Sequence, residues 1–242
     1  MLRGGKSRQG AEAAMSHTAS LAGNGAVVSG ALAQVGVVEA YDFKQMMDLC
    51  RSLANYPEIP SVDCRRVAIL TMSGAAGILS ADFIEKHGLS VADLSAKTVE
   101  KLQEIYPEWM PVSNPVDLWP AVERNGRKKA YRHAFQALCG DSEVDAILFH
   151  IFVGGEEAGV NVTALVEMAR KAGKPLFGWV MGKRDAAHKF QVHARELELP
   201  VFGELHRAVE SMAAVISRKK LPEPESPDRL PKLSDGRGCD DY

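Results

Sequence analysis

Between residues 65 and 220 the chain alternates two hydrophobic rhythms. Residues 66–71 (RVAILT), 144–152 (VDAILFHIF) and 175–181 (PLFGWVM) are short apolar runs rich in β-branched and aromatic residues, and Pro200-Val201-Phe202 is a shorter one. Their length and flanking turn residues predict buried strands rather than helices. Each run precedes a stretch with apolar positions three and four apart. Ala81, Phe83 and Ile84 follow the first, and Val162, Leu165, Val166 and Ala169 the second. Helices over residues 186–197 and 204–217 follow the last two. Strand alternating with helix predicts an α/β fold, a parallel sheet with helices on both faces. Residues 93–125 are less regular and are read as a helix over 95–105 followed by a loop at SNPVDLWP.

Upstream, residues 42–55 predict an amphipathic helix capped by Asp42, with Phe43, Met46, Met47, Cys50, Leu53 and Ala54 on one face. Tyr56-Pro57 and Ile59-Pro60 end it. Residues 1–40 are rich in Gly, Ala and Ser and read as loop and short turns around one apolar stretch, 31–38. Such a segment cannot build its own core and must lean on something else. After Lys220 the proline- and charge-rich LPEPESPDRLPKLSDGRGCDDY reads as a disordered tail. The expected organisation is therefore 1–40, a connecting helix and linker at 41–64, an α/β domain at 65–220 and a tail at 221–242.

Composition narrows the function classes. The chain is 46% hydrophobic and 25% charged, the balance of an ordinary globular protein. A net charge of −2 leaves no basic surplus for nucleic acid. No apolar run approaches the roughly 20 residues of a membrane-spanning helix, and MLRGGKSRQG is not followed by the apolar stretch of a secretory signal. The four cysteines show neither CxxC nor Cys/His ligand spacing. They read as reduced structural thiols of a cytoplasmic protein, with no metal site expected.

The candidate chemistry clusters at strand ends. Ser73, Gly74, Ala75, Ala76 and Gly77 lie between the first strand and its helix. Small residues there let backbone N–H groups approach an anion, backed by the positive end of the helix. The Lys of a P-loop is missing. The other strand ends carry Gly154-Gly155-Glu156-Glu157 and Gly182-Lys183-Arg184-Asp185, so three glycine-bearing loops share the sheet edge where ligands bind in this fold. His17, between Ser16 and Thr18, is a candidate nucleophile. The remaining six histidines do not cluster, and His150, inside an apolar strand, reads as a hydrogen-bonded core residue. Asn114 and Asp117 flank an Asn-Pro turn that either shapes the loop or orients a substrate. The basic run 124–129 reads as a solvated face.

Four of these segments, in order, carry a family resemblance. KSRQGAEAAMSHTASLAG resembles the KSGRSEAGARAASSHTGSLAG signature of the NDP-forming acyl-CoA synthetases, relatives of succinyl-CoA synthetase. LTMSGAAGILSAD is similar to their LTNSGGAGVLAAD, NPVDL matches unchanged, and VDAILFHIFVGG resembles a strand and glycine turn of the succinyl-CoA synthetase β subunit. The resemblance spans roughly residues 2–220. It implies a flavodoxin-like three-layer domain preceded by an incomplete segment of a second ligase domain. It also implies the reaction acid + CoA + ATP ⇌ acyl-CoA + ADP + phosphate, with His17 as the phosphohistidine. Residues 73–77 would then hold the phosphoryl group, and Asn114, Asp117, Gly154 and Gly155 would contact substrate. CoA and ATP or ADP with Mg2+ would be substrates of the complete enzyme, none held tightly by this chain alone. A CoA-binding domain and an ATP-grasp domain or subunit would complete an oligomeric enzyme. Ala19 and Ala75 stand where the family usually has Gly. The rival expectation is a ligand-sensing or scaffolding module, since some relatives fuse these domains to protein acetyltransferases and commonly lack the reactive histidine.

Overall fold

The computed structural model describes residues 1–18, 24–57, 65–154 and 160–218. The expected tail, Ala19, Gly155 and most of the linker lie outside these residues. Two helices open the chain, α1 (Arg8–Thr18) and α2 (Gly25–Gln34), followed by α3 (Phe43–Asn55). The α/β part runs β1 (Arg66–Thr71), α4 (Gly74–Lys86), β2 (Ser90–Val91), α5 (Ala96–Gln103), β3 (Val116–Asp117), α6 (Trp119–Asn125) and α7 (Arg127–Cys139). It continues β4 (Ala146–Val153), α8 (Val162–Lys171), β5 (Leu176–Gly182), α9 (Arg184–Glu196), β6 (Val201–Phe202) and α10 (Leu205–Ile216).

The sheet is parallel in every pairing, with order β2-β1-β4-β5-β6, and β3 joins β1 beyond the end of β2. The pleat sends alternate residues to opposite faces. Val67, Ile69, Leu148 and Phe177 pack under α4 and α10. Leu70, Phe149, Ile151 and Val180 pack on the other face with Tyr131 and Phe135 of α7 and Leu165 of α8. Three layers result, as expected for a flavodoxin-like arrangement. The register is pinned where β1 enters: Asp145 accepts from the Arg65 and Arg66 amides at 3.0 and 2.9 Å and from the Arg66 guanidinium at 2.8 Å.

The sequence reading needs three corrections. Residues 1–40 are not mainly loop. The Ala-rich run before His17 favours helix, and Asn24 caps α2 by accepting from the Ala26 and Val27 amides. The 93–125 region holds β3 and α6 besides the expected helix, which Ser95 caps. Two-residue strands are too short for any periodicity to register. On α3, Asp42 is the cap, but the packed face is rotated from the expected one, keeping Leu53 on the core and Met46 half-buried. Gln45, Asp48, Leu49 and Ser52 are buried, while Phe43 is 76% and Met47 56% exposed, with Cys50 also outward. Polar partners on α10 decide the orientation. Arg207 pairs with Asp42 at 2.7 Å, and the Gln45 amide donates to Glu210 at 2.6 Å.

Candidate functional site

β1, β4 and β5 end at one edge, and β1 lies between strands reached by opposite-sided connections. This is the switch point at which open parallel sheets form a ligand crevice. The turn leaving β1 is closed by Thr71, whose Oγ1 accepts from the Ser73 amide and reaches the Ser73 carbonyl, both at 3.0 Å. Ser73, in extended backbone, caps α4 through Oγ to the Ala76 amide at 3.4 Å. The Gly77 amide is taken by the Ser73 carbonyl at 3.0 Å. Among the described residues no acceptor meets the N–H groups of Gly74 and Ala75, and both residues are exposed. An anion there gains two donors and the positive end of α4, an exposed-site contribution of about 0.3–1 kcal/mol per charge.

The glycines of the turn do different jobs. A Cβ on Gly77 would lie 2.9 Å from Pro115 Cβ and 3.3 Å from Thr71 Cγ2, so its absence is demanded by packing. A Cβ on Gly74 would meet only Asp117 Oδ2, at 3.5 Å. Asp117 also accepts from the Trp119 amide at 3.1 Å. Its carboxylate therefore shares the α4 terminus with any incoming anion. Asn114 is spent elsewhere: Oδ1 accepts from the Ile69 amide at 2.9 Å, and Nδ2 donates to the Val67 and Ala92 carbonyls at 3.0 and 2.9 Å. It fills the gap where β1 changes partner from β2 to β3, the loop-shaping alternative of the sequence reading.

Across the crevice, Gly154 has a left-handed φ of 94°, and a Cβ there would strike the Lys183 stem at 2.7 Å. Gly182, at φ 140°, brings β5 so near β4 that a Cβ would sit 1.9 Å from the Val153 carbonyl. The Lys183 amide donates to that same carbonyl at 3.2 Å. The Arg127 guanidinium, at the start of α7, donates to the Phe152 carbonyl at 3.2 Å. Lys183 and Arg127 thus put positive charge at the β4 end of the crevice.

His17 sits in the last turn of α1 and is exposed. The ties of this segment run to itself and to the approach to α3. Leu2 bridges Ala40, Arg3 and Lys6 pair with Glu39 at 3.4 and 3.2 Å, and Lys6 lies over the Tyr41 ring. A hydrogen bond from Ser29, more than either cation, holds the Glu39 carboxyl below its usual range. The helix α4 packs mainly against α10, β1, β2 and β3, and among the described residues no hydrogen bond or ion pair joins His17 to the β1–α4 turn.

Under the turn, His150 is the hydrogen-bonded core residue the sequence reading expected, while its partners Thr71 and Ser80 were not foreseen. His150 is fully buried, with Nδ1 2.9 Å from Thr71 Oγ1 and Nε2 3.1 Å from Ser80 Oγ. Burial pushes its pKa down to about 4. The signal was present as polar residues at inward positions of two apolar strands and of α4. Lys183 was legible only as part of a glycine-bearing turn. Among the described residues no group of three or more His, Cys, Asp or Glu is placed to hold a metal ion, and no helix is long and apolar enough to cross a membrane. A recess of about 450 Å³ beside Tyr56, Ala169 and Leu176 opens at the opposite, amino-terminal edge of the sheet.

Residues 1–53 match the family described as succinyl-CoA ligase like flavodoxin domain. The ADP-forming acetate–CoA ligase II of Archaeoglobus fulgidus is 32% identical over 223 residues, covering 91% of this chain and 32% of that protein. The alpha subunit of ADP-forming acetate–CoA ligase II of Pyrococcus furiosus is 36% identical over 186 residues, 74% of this chain and 39% of that subunit. Among solved structures, the dinucleotide-forming acetyl-coenzyme A synthetase 1 of Ca. Korarchaeum cryptofilum, in complex with phosphate and ADP, superposes with a TM-score of 0.75. It is 22% identical and covers 89% of this chain and 46% of that one, a likeness of fold. The chain spans between about a third and a half of the length of these three proteins.

Proposed function

We propose that this chain, a homologue of part of the ADP-forming acetate–CoA ligases, supplies the phosphoryl-carrying histidine and one anion-binding sheet edge to an NDP-forming acyl-CoA synthetase. The carrying observation is the exposed imidazole of His17, at the motif position of the phosphohistidine. Neutral imidazole is a competent nucleophile near pH 7. A ring nitrogen attacks the phosphorus of an acyl phosphate, the bond from phosphorus to the acyl oxygen breaks, and the carboxylate leaves. An oxygen of ADP then takes the phosphoryl group from the ring; in reverse the two steps make acyl phosphate at the expense of ATP, and the CoA thiol attacks its acyl carbon, expelling phosphate to give acyl-CoA. Stabilising such a group is mainly the work of positioned donors and positive potential. In this reading the Gly74 and Ala75 N–H groups, with Ser73 at the cap, receive the phosphoryl group, and Lys183 answers its charge from across the crevice.

The remaining parts belong to other domains or subunits of a cytoplasmic complex. A CoA-binding domain holds the thioester, and an ATP-grasp domain holds the nucleotide with its Mg2+. The outward stripe of Phe43, Met47 and Cys50 on α3 supports this, because contiguous exposed apolar surface marks a contact face. The test is to reconstitute the chain with its complementary subunits and supply ATP radiolabelled at the γ-phosphate. Acid-labile label is expected on this chain and is expected to vanish in His17→Ala. An active complex with an unlabelled chain refutes the assignment.

A further inference from the structure

Phosphoryl transfer as described leaves His150 unused, yet the ring lies directly beneath the anion turn. Besides its two hydroxyl partners it meets Trp179 edge-on, with ring centroids 5.0 Å apart. Each hydroxyl holds backbone of the turn or helix. Thr71 engages the Ser73 amide and carbonyl, and Ser80 Oγ reaches the Ala76 carbonyl at 2.8 Å. The imidazole, carried by the central strand β4, therefore links the end of β1 to the second turn of α4.

We propose that His150 is a positioning residue which, through the Thr71 hydroxyl, fixes how the Gly74 and Ala75 N–H groups face an incoming phosphoryl group. The inference rests on the anion role proposed above for that turn. Counting protons gives it content. Each hydroxyl has one proton to donate, and a neutral imidazole has one N–H. With the ring proton on Nδ1, the ring donates to Thr71 Oγ1, and the Thr71 proton stays on the Ser73 carbonyl. Ser80 then turns its proton to the bare Nε2, and the Ala76 carbonyl keeps its helical partner. With the proton on Nε2, Ser80 stays on the Ala76 carbonyl, and Thr71 must turn to Nδ1, releasing the Ser73 carbonyl. The two tautomers hold the turn differently, and the Nδ1–H form clamps it.

The experiment uses the full chain, inorganic phosphate as probe, and the amide resonances of Gly74 and Ala75 as reporters. Wild type, Thr71→Val, His150→Phe and the double variant are titrated, and urea unfolding of each is measured alongside. Phenylalanine removes both ring nitrogens, so the Thr71 hydroxyl loses the donor that fixes its orientation, and as a larger ring at a fully buried position it also costs stability by overpacking. Each single variant is expected to bind phosphate about fivefold more weakly, equivalent to about 1 kcal/mol for one lost hydrogen bond. The double variant is expected to bind no more weakly than Thr71→Val alone, the signature of residues acting through one another. Imidazole ¹⁵N shifts of the wild type are expected to report the Nδ1–H tautomer, a readout independent of phosphate and of whether His150→Phe folds. Unchanged phosphate affinity in a less stable His150→Phe overturns the proposal, as does an Nε2–H ring. Wild type without phosphate-induced shifts at Gly74 and Ala75 is a separate failure, that of the anion reading, and removes both.

Discussion

Substituting alanine at Gly74 and at Gly77 should separate two roles that a small-residue turn superimposes. At Gly77 the new methyl would approach Pro115 Cβ to 2.9 Å and Thr71 Cγ2 to 3.3 Å. Comfortable carbon–carbon separation is about 3.5–4.0 Å, so the α4 start must move away from the 114–117 loop by roughly half an ångström or more. Overpacking of this kind costs about 1–3 kcal/mol. The entropic gain of replacing a helical glycine returns about 0.5–1 kcal/mol, leaving Gly77→Ala destabilised by about 1 kcal/mol and by no more than about 2.5 kcal/mol. At Gly74 the methyl meets one carboxylate oxygen at an ordinary 3.5 Å, so only the gain remains, about 0.5–1 kcal/mol of added stability.

Urea unfolding followed by tryptophan fluorescence reads both, and a thermal scan should place the two melting temperatures on opposite sides of wild type. For a domain of this size about 1 kcal/mol moves the midpoint by about 2–4 °C. The distances at Gly77 carry the whole estimate. If Gly77→Ala unfolds at or above the wild-type midpoint, or Gly74→Ala is the less stable of the pair, the division between a packing glycine and an open one is wrong.

Three further outcomes follow from other observations. Asp117→Asn removes a carboxylate that shares the α4 terminus with any anion, so phosphate should bind about twofold to fivefold more tightly, by about 0.3–1 kcal/mol, and isothermal titration reads the change. Burial alone would raise the Asp145 pKa, but the Arg66 hydrogen bonds and charge outweigh it and hold the carboxyl below its ordinary 3.8. Its stabilising contribution is then fully present above that ordinary value and is lost as pH falls through the lower folded one. Wild type should therefore lose stability below about pH 4 more steeply than Asp145→Asn, and denaturation midpoints across an acid series check the slope. If the outward stripe of α3 is a contact face, complex formation should slow oxidation of Met47 by peroxide, scored by mass spectrometry, and Phe43→Ser should weaken assembly while leaving the midpoint of the isolated chain within about 0.5 kcal/mol.

The sheet was legible because its physics is local. Residues 67–71 and 146–153 are apolar without a break except at Thr71 and His150, and strands buried on both faces need that pattern. The face of α3 was not legible. Periodicity finds the apolar stripe of a helix but not whether the neighbouring surface offers apolar or polar partners. Here Arg207 and Glu210, more than 150 residues downstream, claim the polar side. β2 and β3 escaped for another reason. Each has two residues, and Asn114, not a run of apolar residues, holds the edge of β1 together between them.

The glycines at the sheet edge show why part of the site reading was too generous. Three glycine-bearing loops at one edge suggested backbone approaching an anion. Gly77 is demanded by Pro115, Gly154 by the Lys183 stem and Gly182 by the Val153 carbonyl. A glycine marks a place where a Cβ does not fit, and a sequence does not say whether ligand or protein occupies that space. Once packing accounts for these three, the anion reading stands on what no packing partner uses: the N–H groups of Gly74 and Ala75 at a switch point. A substitution that preserves packing but removes one of those donors would discriminate best. Proline at residue 75, where the N–H is lost and an early helical position tolerates the ring, should leave the fold intact and weaken phosphate binding by about fivefold, the loss of one hydrogen bond. Unchanged phosphate affinity in Ala75→Pro would move the anion site away from this turn.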